Sequence, residues 1–369
     1  MKLHIFNPEH DMALAANKDC FTSPHAGRQL RADLGFIPAL WADDADMVLV
    51  DDVEAAEEAV RHVRKYARCV GFVSLADLAG IDFSAARDFS VEPWGWDAAI
   101  RHQLVRANAA IGRFLPSPSE IGVMRDISSR RFSAERVLPR LRGVSSLMIG
   151  ESRYCTTLEE ALGSMAHNGR SVLKSPWSSS GRGVRYAETA VPSEHLVGWM
   201  RKTISVQGGV MVEPLYNKVV DFGMEFYARP GGVVEYRGLS VFETRNGAYS
   251  GSILATEADK RVILSRLVSL SLLDAVRGEL CQILGEEFDG AYEGPLGVDM
   301  MVVSAAGNGH CLLHPCVELN LRRTMGHVAL ALTPTEHEPQ RVMNINYTGG
   351  KYHLRIQQLT VNLLNMELV

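Results

Sequence analysis

The chain of 369 residues lacks the marks of several large protein classes. No apolar run approaches the roughly 20 residues that a helix needs to span a bilayer. The apolar start, Met1 to Phe6, is broken by Asn7-Pro8-Glu9 before a signal-peptide core can form. There is no cysteine framework: six cysteines lie scattered at positions 20, 69, 155, 281, 311 and 316, which predicts reduced thiols in a cytoplasmic protein. In that compartment the sequon at Asn346-Tyr347-Thr348 goes unused. There is no basic excess either. Lys and Arg total 38 against 43 Asp and Glu, a formal charge of −5, so neither a nucleic-acid nor a membrane partner is expected. Internal repeats, low-complexity tracts and a Walker-type phosphate loop are also missing.

What is present suits a folded α/β chain. With 46% hydrophobic residues it can bury a sizeable core, divided among two or three domains. Residues 2 to 6 read as a strand entering the polar loop Asn7-Pro8-Glu9-His10-Asp11. Ser23 and Pro24 start a helix that carries Arg28 and Arg31 and stops at Gly35. Buried strands are expected at 37–41, 47–50 and 69–73, with a helix over 53–66. That alternation predicts a Rossmann-like parallel α/β domain over 1–115, with ligands at the carboxyl ends of its strands. Glu9-His10-Asp11 falls at such an end, the alternative being a solvated loop with a helix cap. Arg28 and Arg31 face either a substrate carboxylate or water. A helix over 97–112 and the linker Pro116-Ser117-Pro118-Ser119 close this part.

The chain is organised around residues 171 to 186. Ser171-Val172-Leu173 leads into Lys174, and Val184-Arg185-Tyr186 leads out. Between them the small residues Ser178-Ser179-Ser180-Gly181-Arg182-Gly183 offer successive N–H groups that can fold over an anion. The alternative is an exposed hairpin turn. Just upstream, residues 156–168 form a helix with a capping box, Thr156 or Thr157 with Glu159 or Glu160. A second pair of strands, 297–303 and 312–321, carries Asp299 and then Glu318, Asn320 and Arg322. Alternation puts Glu318, Asn320 and Arg322 on one face and Val317, Leu319 and Leu321 on the other. Two carboxylates and an amide oxygen suit Mg²⁺, which also keeps waters and phosphate oxygens. His310, Cys311, His314 and Cys316 carry zinc-binding groups, but one strand cannot point them together, so strand packing is expected.

Together these stretches resemble the ATP-grasp superfamily of ATP-dependent carboxylate–amine ligases, over about residues 116 to 330. The lysine strand and covering loop are matched by Lys174 and Ser178 to Gly183, the adenine hinge by Val212-Glu213-Pro214-Leu215. The metal strands are matched by Gly297-Val298-Asp299 and Glu318-Leu319-Asn320-Leu321-Arg322. The resemblance implies a two-lobed ATP-grasp domain, small lobe 116–205 and large lobe 206–369, after the N-terminal substrate domain. It implies ATP and one or two Mg²⁺ ions (or Mn²⁺) as cofactors. Metal ligands would be Asp299, Glu318 and Asn320. Nucleotide contacts would come from Lys174, Ser179, Ser180, Gly181, Arg182, Gly183, Glu213, Leu215 and Asp221. A basic residue forty-odd positions before the strand lysine would reach the α-phosphate, Arg131 in preference to Arg130. Arg322 and Lys174 would be catalytic, while Arg245, Tyr249 and His327 lie where they could line the site. The implied activity joins a small-molecule or peptide carboxylate to an amine through an acylphosphate, in a monomer or homo-oligomer. The alternatives are a small-molecule kinase or a non-catalytic nucleotide-binding protein. Beyond residue 342 an edge strand and a short helix are expected.

Overall fold

The structure, a computed structural model, describes all residues except 85, 179–181, 246–247, 306–309 and 360–369. It contains three sheets. The first holds β1 (Lys2–Ile5), β2 (Met47–Leu49), β3 (Gly71–Val73) and β4 (Ser90–Pro93), all parallel, in the order β3-β2-β1-β4. The second holds β5 (Arg153–Cys155), β6 (Ser171–Lys174), β7 (Val184–Ala187) and β8 (Val210–Pro214), antiparallel, in the order β5-β8-β6-β7. The third and largest contains β9 (Lys218–Arg229), β10 (Val233–Arg245), β11 (Ala248–Leu254), β12 (Gly294–Ser304), β13 (Cys311–Asn320), β14 (Arg341–Thr348) and β15 (Lys351–Gln358). Its order is β13-β12-β9-β10-β11-β14-β15. Among the described residues no helix is long and apolar enough to cross a membrane.

The large sheet is two-faced because its strands alternate. In β9, Phe222, Met224 and Phe226 are buried against the helix Leu270–Phe288 through Leu273, Val276, Leu280 and Ile283. Asp221, Gly223 and Glu225 therefore point the other way. The same holds for Asp299 beside Val298 and Met300 in β12, and for Glu318 and Asn320 beside Leu319 in β13. One face is core; the opposite face carries the charge.

Two expectations are corrected. Residues 37–41 are not a strand but a 3-10 helix, Ile37–Leu40, in which Pro38 at the first turn has no N–H to give a sheet ladder. The edge strand expected after 342 forms, within the hairpin of β14 and β15 on the sheet edge, while residues 360–369 lie outside the described ones. Ser23 does not cap its helix: the helix is His25–Leu34, Pro24 stands at the cap, and no side-chain cap bond is made. The capping box at 157–160 forms as expected, with Thr157 and Glu160.

The terminal hairpin closes back on the N-terminal sheet. Phe6, Leu34, Ile37 and Trp94 share one core with Leu254, Val328, Leu332 and Met343, and Tyr352, Leu354 and Ile356 pack against it. The N–H of Tyr352 donates to Asp33 at 2.8 Å. Arg323 adds a polar tie, donating its N–H to the Trp94 carbonyl at 2.8 Å and a guanidinium hydrogen to Glu92 at 3.1 Å.

The turn between β9 and β10 needs positive φ at Gly231 and Gly232, +75° and +71°. Its tip touches the long helix so closely that a Cβ on Gly285 would overlap the Gly232 carbonyl oxygen. Alanine is intrinsically the better helix former by about 1 kcal/mol, but here the clash decides the sign. Gly285→Ala should lower stability by about 1–3 kcal/mol, read as a lower Tm in a thermal melt; an unchanged or raised Tm would show that the tip yields.

Candidate active site

The charged face of the large sheet brings two carboxylates together. Asp299 and Glu318 are direct cross-strand partners, and Gly223 stands beside Asp299 on the next strand. Like charges at paired positions repel. Burial, then the charges of Glu318 and Glu225, push the Asp299 carboxyl up to about 8. The Asn320 amide donates to Asp299 at 3.1 Å and its oxygen accepts from Arg322 at 2.8 Å. Among the described residues no group of three or more His, Cys, Asp or Glu forms a metal cage. Two oxygen anions and an amide oxygen on a buried face nevertheless fit a hard divalent cation that takes its other ligands from water and phosphate. A cation beside Asp299 would lower its carboxyl again.

Behind this pair Glu225 is fully satisfied. It accepts from Ser240 Oγ at 2.9 Å and Thr324 Oγ1 at 2.8 Å, and His327 Nδ1 lies 3.1 Å away. Burial pushes its carboxyl up, but the His327 interaction and these hydrogen bonds leave it below the usual range. His327 is thereby held in a capping box with Thr324.

Cations converge on the carboxylates from three directions. Arg130, at the start of its helix with Ser129 as N-cap, is 6% exposed and donates to Glu318 Oε1 at 2.6 Å. The same guanidinium donates to the Ser175 carbonyl at 2.7 Å and to Ser178 Oγ at 2.8 Å, while its backbone N–H donates to the Pro176 carbonyl at 3.0 Å. A π-turn at Ser133–Val137 follows in the same helical stretch, a feature that recurs near functional sites. Lys174 ends β6, buried, 2.7 Å from the Glu213 carboxylate, which also accepts from Ser152 at 2.9 Å. Arg322 grips Asp11 with two arms, at 2.8 and 3.0 Å, so the first turn of the helix His10–Ala16 enters the site. Next to Asp11, buried His10 is 3.2 Å from Asp97 through Nδ1, and Asn7 donates to the same carboxylate oxygen at 3.1 Å. His10, Asp11, Ser178, Glu318 and Asn320 line one narrow crevice.

The expected residues are distributed unevenly. Asp299, Glu318, Asn320, Arg322 and Lys174 gather here. Arg131 does not: it is 54% exposed, ion-paired with Glu135 at 2.9 Å and stacked on Tyr154, so Arg130 is the inward-facing member of the pair. Gly183 accepts from the Ser175 N–H at 2.8 Å and passes so close to Ser178 that a Cβ would overlap it. Arg182 reaches across to the Met12 sulfur at 3.2 Å. Ser179, Ser180 and Gly181 lie outside the described residues, as does the Arg245 side chain. The hinge differs from the expectation in detail. The Glu213 carboxylate is taken by Lys174, the Leu215 N–H donates to the Arg170 carbonyl at 3.0 Å, and Asp221 binds Lys218 and Thr244. Tyr249 faces away, packed on the core shared with the N-terminal sheet. The zinc set stays apart: His314 is buried with both ring nitrogens unpartnered. Sequence reasoning ranked Arg130 behind Arg131 and flagged His10 without its partner Asp97; it passed over Glu225. For Glu225 the period-2 run Asp221, Gly223, Glu225 held the signal.

No protein-family model and no curated protein sequence matches the chain. Solved structures do. The biotin carboxylase domain of the 2-oxoglutarate carboxylase of Hydrogenobacter thermophilus, in complex with MgADP, ADP and bicarbonate, is 13% identical over 93% of this chain and 74% of its own, with a TM-score of 0.52. The biotin carboxylase of Campylobacter jejuni, in a β,γ-ATP complex, is 14% identical over 93% and 75%, with a TM-score of 0.50. The N5-carboxyaminoimidazole synthetase of Staphylococcus aureus, complexed with ADP, is 11% identical over 94% and 82%, at 0.47. The chain has the ATP-grasp fold.

Burial, with the nearby Lys174 charge, pushes the His314 imidazole down to about 3 from an ordinary 6.5. Between those values the unfolded chain takes up a proton that the folded chain refuses, so stability is full above pH 6.5 and falls as pH drops toward 3. His314→Gln should flatten that acid limb by up to about 1.4 kcal/mol per pH unit. Tm measured from pH 7 to 4 checks it; parallel curves would show that the ring is protonated in the fold.

Proposed function

We propose that the chain is an ATP- and Mg²⁺-dependent ligase that joins a carboxylate to an amine through an acylphosphate. One observation carries the proposal: Asp299 and Glu318, cross-strand partners with Asn320 alongside, meet Arg130 from the opposite lobe and, through Asn320, Arg322 from their own, while Lys174, paired with Glu213, comes within 3.4 Å of the Val317 carbonyl of the same strand. The fold likeness supports the nucleotide, and the donor chemistry supports the metal. A boundary near residue 115 falls between the first and second sheets, whereas β8, Val210–Pro214, belongs to the second sheet, so the small lobe is drawn to Pro214 rather than to 205; the strand order β3-β2-β1-β4 supports a Rossmann-like first domain.

In this reading Asp299, Glu318 and Asn320 would hold Mg²⁺, which when bound would supply positive charge against the nucleotide's phosphates. Lys174 and Arg130 bind phosphate oxygens, the strand-to-strand flap covers them, and water is excluded. The substrate carboxylate oxygen forms a bond to the γ-phosphorus as the bond from that phosphorus to ADP breaks. Arg322 holds the substrate carboxyl and then the oxyanion of the tetrahedral intermediate. The amine nitrogen bonds to the acyl carbon, phosphate leaves, and the proton lost from nitrogen passes to His10, whose ring Asp97 orients. Catalysis is positioning and electrostatics, without a protein nucleophile.

Two measurements test the reading. MgATP should raise Tm, as any ligand that binds only the folded state must. Glu318→Gln should remove the Mg²⁺-dependent part of that rise while the folded state persists, since the isosteric amide oxygen can still accept from Arg130 although the ion pair is lost. No Mg²⁺ dependence in the wild type would end the metal assignment. The second contrast separates neighbours. Arg130→Lys keeps the charge but loses the fork, and should weaken MgATP about tenfold or more, whereas Arg131→Ala should change affinity less than about twofold. The reverse pattern, read by calorimetry, would return the phosphate role to Arg131.

A further inference from the structure

The N-terminal sheet carries a second cavity, of about 720 Å³, that the chemistry above leaves unused. Asn7, Asp51 and Asp97 line it just beyond the carboxyl ends of β1, β2 and β4, between the helices His25–Leu34 and Ala98–Ala107. Parallel sheets collect ligands at this edge. The composition of its wall is specific. Arg31 is already neutralised, donating to Glu9 Oε1 at 2.9 Å and to Gln103 at 3.2 Å, with Asp51 3.8 Å away. The other oxygen of Glu9, Oε2, is buried and accepts no hydrogen bond. Arg28 also lines the cavity and donates to the Ser23 carbonyl, and it has no carboxylate partner among the described residues. Arg106, exposed at the end of its helix, faces the same space without an ion pair among the described residues.

One wall thus offers a buried anion short of a donor, and the other offers guanidinium groups short of a carboxylate. A buried carboxylate oxygen without a donor is costly, and a protonated amine is the group that repairs it. Guanidinium groups take a carboxylate in turn. A ligand with both charges completes the cavity; a simple anion or amine completes half.

We infer that this cavity binds a free amino acid, or a short peptide with a free amino terminus, its ammonium at Glu9 and its carboxylate at Arg28 and Arg106. Glu9 and Ala13 face this cavity, while His10, Asp11 and Leu14 face the crevice of the reaction from the other side of the helix His10–Ala16, so the two sites are distinct.

The test titrates the full chain with the twenty free amino acids and a set of dipeptides, following Tm and then calorimetry, with MgATP in a parallel series. At least one of these ligands should bind, and its N-acetyl and C-terminal amide forms should bind at least about tenfold more weakly, the loss expected for one charge-assisted contact. Arg106→Ala, which removes an exposed side chain, should cause a similar loss, as should Glu9→Gln. No binding by any of them, or equal binding of the blocked forms, with the MgATP shift intact, overturns the cavity assignment and leaves the ligase reading standing. Amino-acid binding without any MgATP shift supports the cavity and removes the ligase reading.

Discussion

One guanidinium joins the parts that have to act together. Arg130 starts on the small-lobe side, holds the covering segment through Ser175, Pro176 and Ser178, and ends on Glu318 of the large sheet. A planar fork with fixed donors can satisfy several oxygens at once, which a lysine cannot. Trp177 reinforces the same segment, its indole donating to the Arg125 carbonyl at 3.0 Å while the Arg125 guanidinium stacks on its ring at 3.7 Å. Arg125 in turn donates to the Leu14 carbonyl of the N-terminal part at 2.7 Å. The segment Ser175 to Ser178 is therefore tied to β13 by a few short polar contacts.

Those contacts matter because the face they close over carries too much negative charge for its surroundings. Asp299, Glu318 and Glu225 share one side of the sheet, and only Glu225 has a full set of donors. A sheet face of this kind is stable when cations approach from outside it: Arg130, Arg322 and, in the proposed reaction, a divalent ion. Arg322 is itself balanced by Asp11, so the first turn of the helix His10–Ala16 belongs to the same electrostatic set as the strands far from it in sequence.

The residues legible in the sequence were those whose role follows from local periodicity. Glu318, Asn320 and Arg322 share a face because a strand alternates, and Asp299 meets Glu318 because the two strands form an antiparallel hairpin. The capping box at Thr157 and Glu160 is equally local. Arg130 against Arg131 was not legible, because neighbouring residues at a helix start point about 100° apart, and a shift of one position in the helix phase decides which faces inward. The Asp11 to Arg322 pair and the Asp97 to His10 pair are long-range, and polar loop residues look alike until the chain is folded. The strand expected at 37–41 failed for a local reason that was visible: Pro38 sits inside it. Tyr249 was misplaced because the core it joins is built from both ends of the chain.

That shared core has a consequence for how the protein is made. A chain emerging from a ribosome completes β1 to β4 early, yet the apolar surface of Phe6, Leu34 and Ile37 has its cover only when Leu254, Val328, Met343 and then Tyr352 to Ile356 arrive. Until translation reaches the hairpin of β14 and β15, the first-made unit exposes an oily side to chaperones and to other nascent chains. Its maturation therefore waits on that hairpin, and loss of a few residues at β15 would be felt in the folding yield of the part made first.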